Sequence, residues 1–179
     1  MVLKTGIENI LLCLLSSYFK RYRDWLAGRK KLQKLMFLVD YDIEGEKIRK
    51  LGFSGAKFKV LVYGPYSDQV ADAIETLVEK GKVEEMVITN GFSPRRLISK
   101  YMEELRYEEG RIYLYKPRVR NVPRLPSNVK QRIEEIVEKY GSYTGGELEK
   151  LVTDKLGLTP ERKEKYFGIS IDEYISKLA

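Results

Sequence analysis

The chain has 179 residues, 43% of them hydrophobic and 33% charged, which suits one domain of ordinary size with enough apolar material for a core and argues against disorder. With one cysteine and no histidine, it has no imidazole base, no Ser-His-Asp or Cys-His nucleophile, no ordinary zinc or haem site and no disulfide framework. The net charge of +7 and pI near 9.3 favour anionic partners, and the weight of Lys, Arg, Glu and Tyr against Asn, Gln, Cys and His fits selection at high temperature.

Ile7, Ile10, Leu11, Leu14 and Tyr18 step at three and four, which predicts an amphipathic helix over 5–19. Its apolar run, 10–15, falls well short of the roughly 20 residues that span a membrane. Glu8, Lys20 and Arg21 flank it without a small-x-small cleavage site, so the chain reads as cytoplasmic. Cys13 beside the stripe reads as a small buried hydrophobe, since nothing nearby lowers a thiol pKa.

A basic bend with Lys20, Arg21, Arg23, Arg29, Lys30 and Lys31 leads into a second helix over 29–43. Leu32, Leu35, Met36, Val39 and Ile43 form its stripe, and Phe37 and Leu38 widen the arc, which predicts a central helix. Asp40, Asp42 and Glu44 before Gly45 imitate a calcium loop, but the closing Glu is Leu51 here. Asp40 and Glu44 therefore read as a solvated helix end.

Residues 57–63 alternate as a strand with Phe58, Val60 and Val62 inward, and Gly64-Pro65 breaks it. Ser67 caps a third helix over 67–80 with Val70, Ala73, Ile74, Leu77 and Val78 inside. A strand at 83–88, a turn at Asn90-Gly91, a helix over 93–105 and a strand at 112–115 able to pair with the first follow. Pro117, Pro123 and Pro126 hold an extended connection. Beyond it lie a helix through Val129, Ile133, Ile136, Val137 and Tyr140, another opened by a Thr144–Glu147 capping box, and a short last helix around Ile171, Tyr174, Ile175 and Leu178. Gly141, Gly145 and Gly146 read as a flexible approach to a helix, because no phosphate-loop motif accompanies them.

This order predicts a mostly helical α+β fold: a winged-helix-like core with a small antiparallel sheet over 1–120 and a helical extension packed on it over 121–179. In DNA-binding winged helices the third helix enters the major groove. Here that helix carries Asp68, Asp72, Glu75 and Glu79, which repel phosphates. Positive charge gathers instead at Arg111, Lys116, Arg118, Arg120, Arg124, Lys130 and Arg132, a stretch without acidic residues. These groups either track phosphates, with Tyr113 and Tyr115 as stacking faces for single strands, or pair with the acidic third helix inside the fold.

The run Lys31-Leu32-Gln33-Lys34-Leu35-Met36-Phe37-Leu38, the element Tyr63-Gly64-Pro65-Tyr66-Ser67 and the later Leu77-Val78-Glu79-Lys80-Gly81-Lys82-Val83 resemble the Panacea domain family, which includes SocA-like antitoxins and YwgA-like proteins. The resemblance implies a mainly helical, non-enzymatic domain that binds other proteins, some relatives neutralising a toxin encoded beside them and SocA-like members handing it to a protease. Read without it, Gly64 and Pro65 shape a turn, Ser67 caps a helix and Tyr66 is an aromatic anchor for a partner.

The leading expectation is thus a protein-interaction module, antitoxin-like, with Tyr66, Asp68, Asp72, Glu75 and Glu79 facing a basic partner such as a toxin. The rival is nucleic-acid binding through the basic stretch. Carboxylate pairs such as Asp40 with Glu44 or Asp172 with Glu173 arise by chance in so charged a chain, so no catalytic residue, metal or cofactor is expected.

Overall fold

The computed structural model describes residues 6–89, 100–101, 110–118 and 122–178. The predicted turn at Asn90-Gly91, most of the predicted helix over 93–105, and Arg120 lie outside them. Helix α1 (Ile7–Tyr22) buries Ile10, Leu11, Leu14, Leu15 and Tyr18. It stops at Arg23, whose left-handed φ of +53° turns its N–H back to the Phe19 carbonyl.

After a two-residue strand β1 (Leu26–Ala27), helix α2 (Arg29–Asp40) runs through the centre, and every residue from Lys30 to Asp40 is buried. The prediction of a central helix holds, but α2 ends at Asp40 rather than at 43. Tyr41–Asp42 is a strand, β2, paired antiparallel with β3 (Arg49–Lys50). The cause is local: the Asp40 carbonyl accepts from the Leu51 and Gly52 N–H groups, and its carboxylate accepts from Ser54. Asp40 is therefore a buried anchor for the 51–54 loop and not a solvated helix end. Burial raises its carboxyl above the usual range against the pull of the Ser54 bonds. Glu44 turns elsewhere, to Lys139 and the Tyr140 hydroxyl.

The strand predicted over 57–63 is shorter. Strand β4 (Lys59–Leu61) folds back on β5 (Gly64–Tyr66) with Lys59 opposite Tyr66 and Leu61 opposite Gly64. Phe58 and Val60 point inward as expected, whereas Val62 sits in the turn and is 61% exposed. Alternation fails there because the residue belongs to the hairpin tip. Gly64-Pro65 does not end the strand pattern but starts its second arm. The other edge of β4 is closed by residues 168–171: Val60 donates to Ile169 O, Gly168 to Val60 O and Ile171 to Phe58 O.

Helix α3 (Asp68–Glu79) begins as predicted, with the Ser67 hydroxyl accepting from Val70 N. Strands β6 (Val83–Thr89) and β7 (Arg111–Pro117) pair antiparallel from Val83 opposite Pro117 to Thr89 opposite Arg111. β1 adds to the far side of β7, giving the order β1-β7-β6. The fold is mostly helical α+β with small antiparallel sheets.

Four helices follow: α4 (Ser127–Tyr140), α5 (Gly145–Leu156), α6 (Pro160–Lys165) and α7 (Ile171–Leu178). Thr144 caps α5 through the Glu147 N–H, as its capping box predicts. Helix α6 was not predicted, although Thr159 as its cap and Pro160 at its first position are a start signal. Buried residues of α1, α2, α3, α4, α5 and α7 form one continuous cluster, and Ala27, Ile88, Tyr101, Ile112 and Leu114 form a smaller one. Gly141 is no flexible hinge: a Cβ there would lie 2.6 Å from the Tyr22 ring, so the glycine permits the close approach of α1 and α4.

Arg132 of α4 locks onto the end of α2, donating to Leu38 O at 2.6 Å and Tyr41 O at 3.2 Å. The Leu38 carbonyl, in the last turn of α2, has no helical partner beyond Asp40, and a charged donor compensates there while also tying down the first residue of β2. Replacing Arg132 by Met is expected to lower unfolding free energy by about 2 kcal/mol. A urea midpoint that falls while the slope stays constant is the signature; an unchanged midpoint shows that water serves these carbonyls as well.

Candidate functional site

Because α2 is buried all round, its polar side chains have to find partners inside the protein, and they find them on the Tyr63–Ser67 element. The Gln33 side chain donates from Nε2 to Ser67 O and accepts from Ser67 N through Oε1, both at 2.9 Å. Lys34, only 2% exposed, donates from Nζ to Pro65 O at 2.9 Å. Two sequence segments thus meet as one unit, the α2 residues fixing the backbone of the hairpin and of the α3 cap. Gly64 completes the joint. Its φ of +89° disfavours a side chain, and an added Cβ would stand 2.9 Å from Thr153 of α5.

Burial lowers the Lys34 ammonium to about 7; Glu149 pulls it upward, while Lys30 and Lys163 add to the fall. Lys30 is paired with Glu149 at 2.9 Å and lies over the Tyr63 ring at 3.9 Å. Lys31 donates to Gly141 O and the Tyr18 hydroxyl. Lys30 and Lys31, read as part of a basic bend, are therefore internal struts, whereas Lys20 is exposed.

Between α2, the β4–β5 tip and α3 lies an open cavity of about 530 Å³. Leu32, Leu61, Val62, Val70, Ala71 and Ile74 give it apolar walls, Tyr63, Tyr66 and Phe167 give it aromatic ones, and Glu75 stands on the α3 side. Val62, Tyr63 and Phe167 are 61%, 45% and 58% exposed. Sequence reasoning named Tyr66 and Glu75 here but missed the rest. Gly64 directly after Val62-Tyr63 was the available signal, since a glycine there suits a tight hairpin whose tip carries those two side chains.

Asp68, Asp72, Glu75 and Glu79 are all exposed on α3. Asp68 pairs with Lys59 at 2.6 Å, while Asp72, Glu75 and Glu79 form no ion pair among the described residues. Burial pushes the half-buried Tyr66 hydroxyl up, and Asp68 adds to this.

The basic stretch is not one surface. Arg132 is held by the Leu38 and Tyr41 carbonyls at the end of α2, Arg118 reaches Glu84 at 3.7 Å, and Lys116 lies over the Phe19 and Trp25 rings. Arg111, Arg124 and Lys130 are exposed. No ion pair joins the stretch to α3 among the described residues, so the alternative of internal pairing with α3 is not seen, and Arg118 and Arg132 contact β6 and the end of α2 instead. Tyr115 is buried and accepts from Arg29 at 3.1 Å, and the Arg29 guanidinium covers the Tyr113 ring at 3.6 Å. Tyr115 therefore offers no stacking face, and one face of the partly buried Tyr113 ring is taken by Arg29.

The Cys13 thiol is half-buried against the core, and burial pushes it up. Asp172 ties α7 to the Tyr41 hydroxyl and Lys50; burial works to raise its carboxyl, and these two partners hold it below the usual range. Among the described residues no group of three His, Cys, Asp or Glu side chains could hold a metal ion, and no helix is long and apolar enough to cross a membrane.

A mostly helical α+β domain whose central helix clamps a glycine-proline hairpin beside an apolar cavity is the class these features define. The family described as antitoxin SocA-like, Panacea domain, matches residues 32–156, and the chain belongs to it. No curated protein and no solved structure gives a significant match.

Lys34 gives stability a pH dependence of known sign. The folded pKa, about 7, lies below that of a lysine in the unfolded chain, so between pH 7 and 10 the unfolded state binds more protons. Stability is therefore expected to rise across that window, by up to about 1.4 kcal/mol per pH unit, and Lys34→Met should flatten the rise. Denaturant unfolding at pH 7, 8 and 9 for both proteins measures it; parallel curves show that Lys34 stays charged in the fold.

Proposed function

We propose that this protein is a non-enzymatic, antitoxin-like module that binds a basic partner protein through the exposed face of α3 and Tyr66. The observation that carries the reading is the acidic face: Asp72, Glu75 and Glu79 are exposed, have no ion pair among the described residues, and stand beside a half-buried aromatic side chain. Membership of the SocA-like family supports a toxin as that partner. Element order supports a winged-helix-like core, with β7 between β1 and β6 and α3 ahead of the β6–β7 pair, put to a use other than base reading.

The test begins with co-expression of the gene beside its own. The neighbour's product is expected to arrest growth alone and to be silenced and co-purified with this chain. Combining Asp72→Asn, Glu75→Gln and Glu79→Gln should weaken that complex at least about tenfold, equivalent to ~1.4 kcal/mol, and flatten its salt dependence. A harmless neighbour with no retained protein, or a complex indifferent to the three changes, removes the reading.

Nucleic-acid binding is the second reading, favoured by the exposure of Arg111, Arg124 and Lys130. If these three neutralise duplex phosphates, log K falls against log salt with a slope of about −2.7. Replacing them with Ala then weakens all sequences alike. On the leading reading, duplex and single-stranded probes stay unbound at about 50 mM salt in a gel-shift series.

A further inference from the structure

The cavity between α2, the hairpin tip and α3 sorts charge in a way that specifies an occupant. On the α2 wall every cationic group is engaged within the protein: Arg29 with Tyr115, Tyr113 and Glu85, Lys30 with Glu149, and Lys34 with Pro65 O. On the α3 wall Glu75 lines the cavity; the exposed Glu79 lies one turn along the helix, and the exposed Asp72, one turn back, borders a second cavity against the start of α1, all three without ion pairs among the described residues. The charge left for a ligand is negative, although the chain is positive overall. Between the two walls, Val62, Tyr63 and Phe167 keep large apolar surfaces in water around one opening.

From this we infer that the cavity is a docking groove for an amphipathic segment of a partner protein, apolar side chains entering between Val62, Phe167 and Ala71 while Lys or Arg residues of the same segment meet Glu75, Asp72 and Glu79. The inference rests on the protein-binding reading above and adds the chemistry of the segment bound. A cavity of about 530 Å³ holds a few aliphatic side chains, the scale of a helix anchored at i, i+3 or i+4, and i+7. The hairpin is held on both edges, by residues 168–171 and by α2, so the groove is formed before a ligand arrives and ordering costs are small.

The test uses the whole chain, methyl-labelled for NMR, and three synthetic peptides of about 14 residues: an amphipathic Leu/Lys helix, the same peptide with Glu for Lys, and the same with Ser for Leu. The Leu/Lys peptide is expected to shift the methyl signals of Val62, Val70, Ala71 and Ile74. The Glu and Ser peptides should each bind at least about tenfold more weakly. Val62→Ser with Phe167→Ser, both at exposed positions, should weaken the Leu/Lys peptide by a similar factor without lowering the melting temperature. Ala71→Trp, which fills the groove, should block it. Shifts that map elsewhere, equal binding of the Glu peptide, or no response to either variant overturns the inference. So does a dimer in sedimentation that the Val62/Phe167 variant dissolves, since the occupant is then a second copy. If the three acidic substitutions weaken the toxin complex but the groove variants leave it intact, the protein-binding reading survives and this one falls; if neither set matters, both fall.

Discussion

Full burial of α2 is the constraint on which the structure turns. A helix covered on all sides has no solvent for its polar residues, and each leaves a buried group that costs free energy unless bonded. Gln33 reaches Ser67, Lys34 reaches Pro65, Lys31 reaches Gly141, Lys30 reaches Glu149 and Asp40 reaches Ser54. Those targets belong to five different parts of the chain. Satisfying one helix therefore fixes the hairpin, the start of α3, the α4–α5 turn, α5 and the 51–54 loop at once. Polar side chains here specify arrangement, and Leu35, Met36, Phe37 and Leu38 supply the burial that drives it.

The parts of the fold that were legible in the sequence are those governed by period and by caps. The stripes of α1, α2 and α4 are dense enough to show 3.6-residue spacing, and Ser67 and Thr144 announce their helices by side-chain chemistry. The pairing of β6 with β7 was expected from two short strand-forming runs set off by turn signals, although Val87, read as alternating with Val83, is exposed and Ile88 is buried instead. What could not be read was the direction of charged side chains. Lys30, Lys31 and Lys34 look like a solvated basic patch in a list of residues, and only the position of α2 at the centre turns them inward. Tyr113 and Tyr115 suffer the same ambiguity, since an aromatic residue on a strand serves a core or a ligand equally well. Of the candidate site, Tyr66 and the α3 carboxylates were visible, while Val62 and Phe167 were hidden by the assumption of unbroken strand alternation and by an unrecognised short helix ahead of Phe167.

Charge sign at a site is decided by pairing rather than by totals. The chain carries 33 basic and 26 acidic side chains, yet several basic groups near the groove are absorbed by carbonyls, hydroxyls and ring faces inside the fold. Carbonyl and ring partners neutralise no acid, so these contacts leave carboxylates over at the surface. α3 is where three of them collect. A basic protein can present an acidic face by this route without any change in composition.

The closure of β4 by residues 168–171 ties assembly of the hairpin to the order of synthesis. Val60 meets Ile169 and Phe58 meets Ile171, so the edge of β4 stays open until a segment about 110 residues further along has left the ribosome, a separation that slows loop closure. Until then the β4 backbone offers unpaired donors and acceptors to any passing strand. A nascent chain at that stage is an unfinished, sticky intermediate, and a protease cut or stop codon ahead of 168 would leave it there permanently.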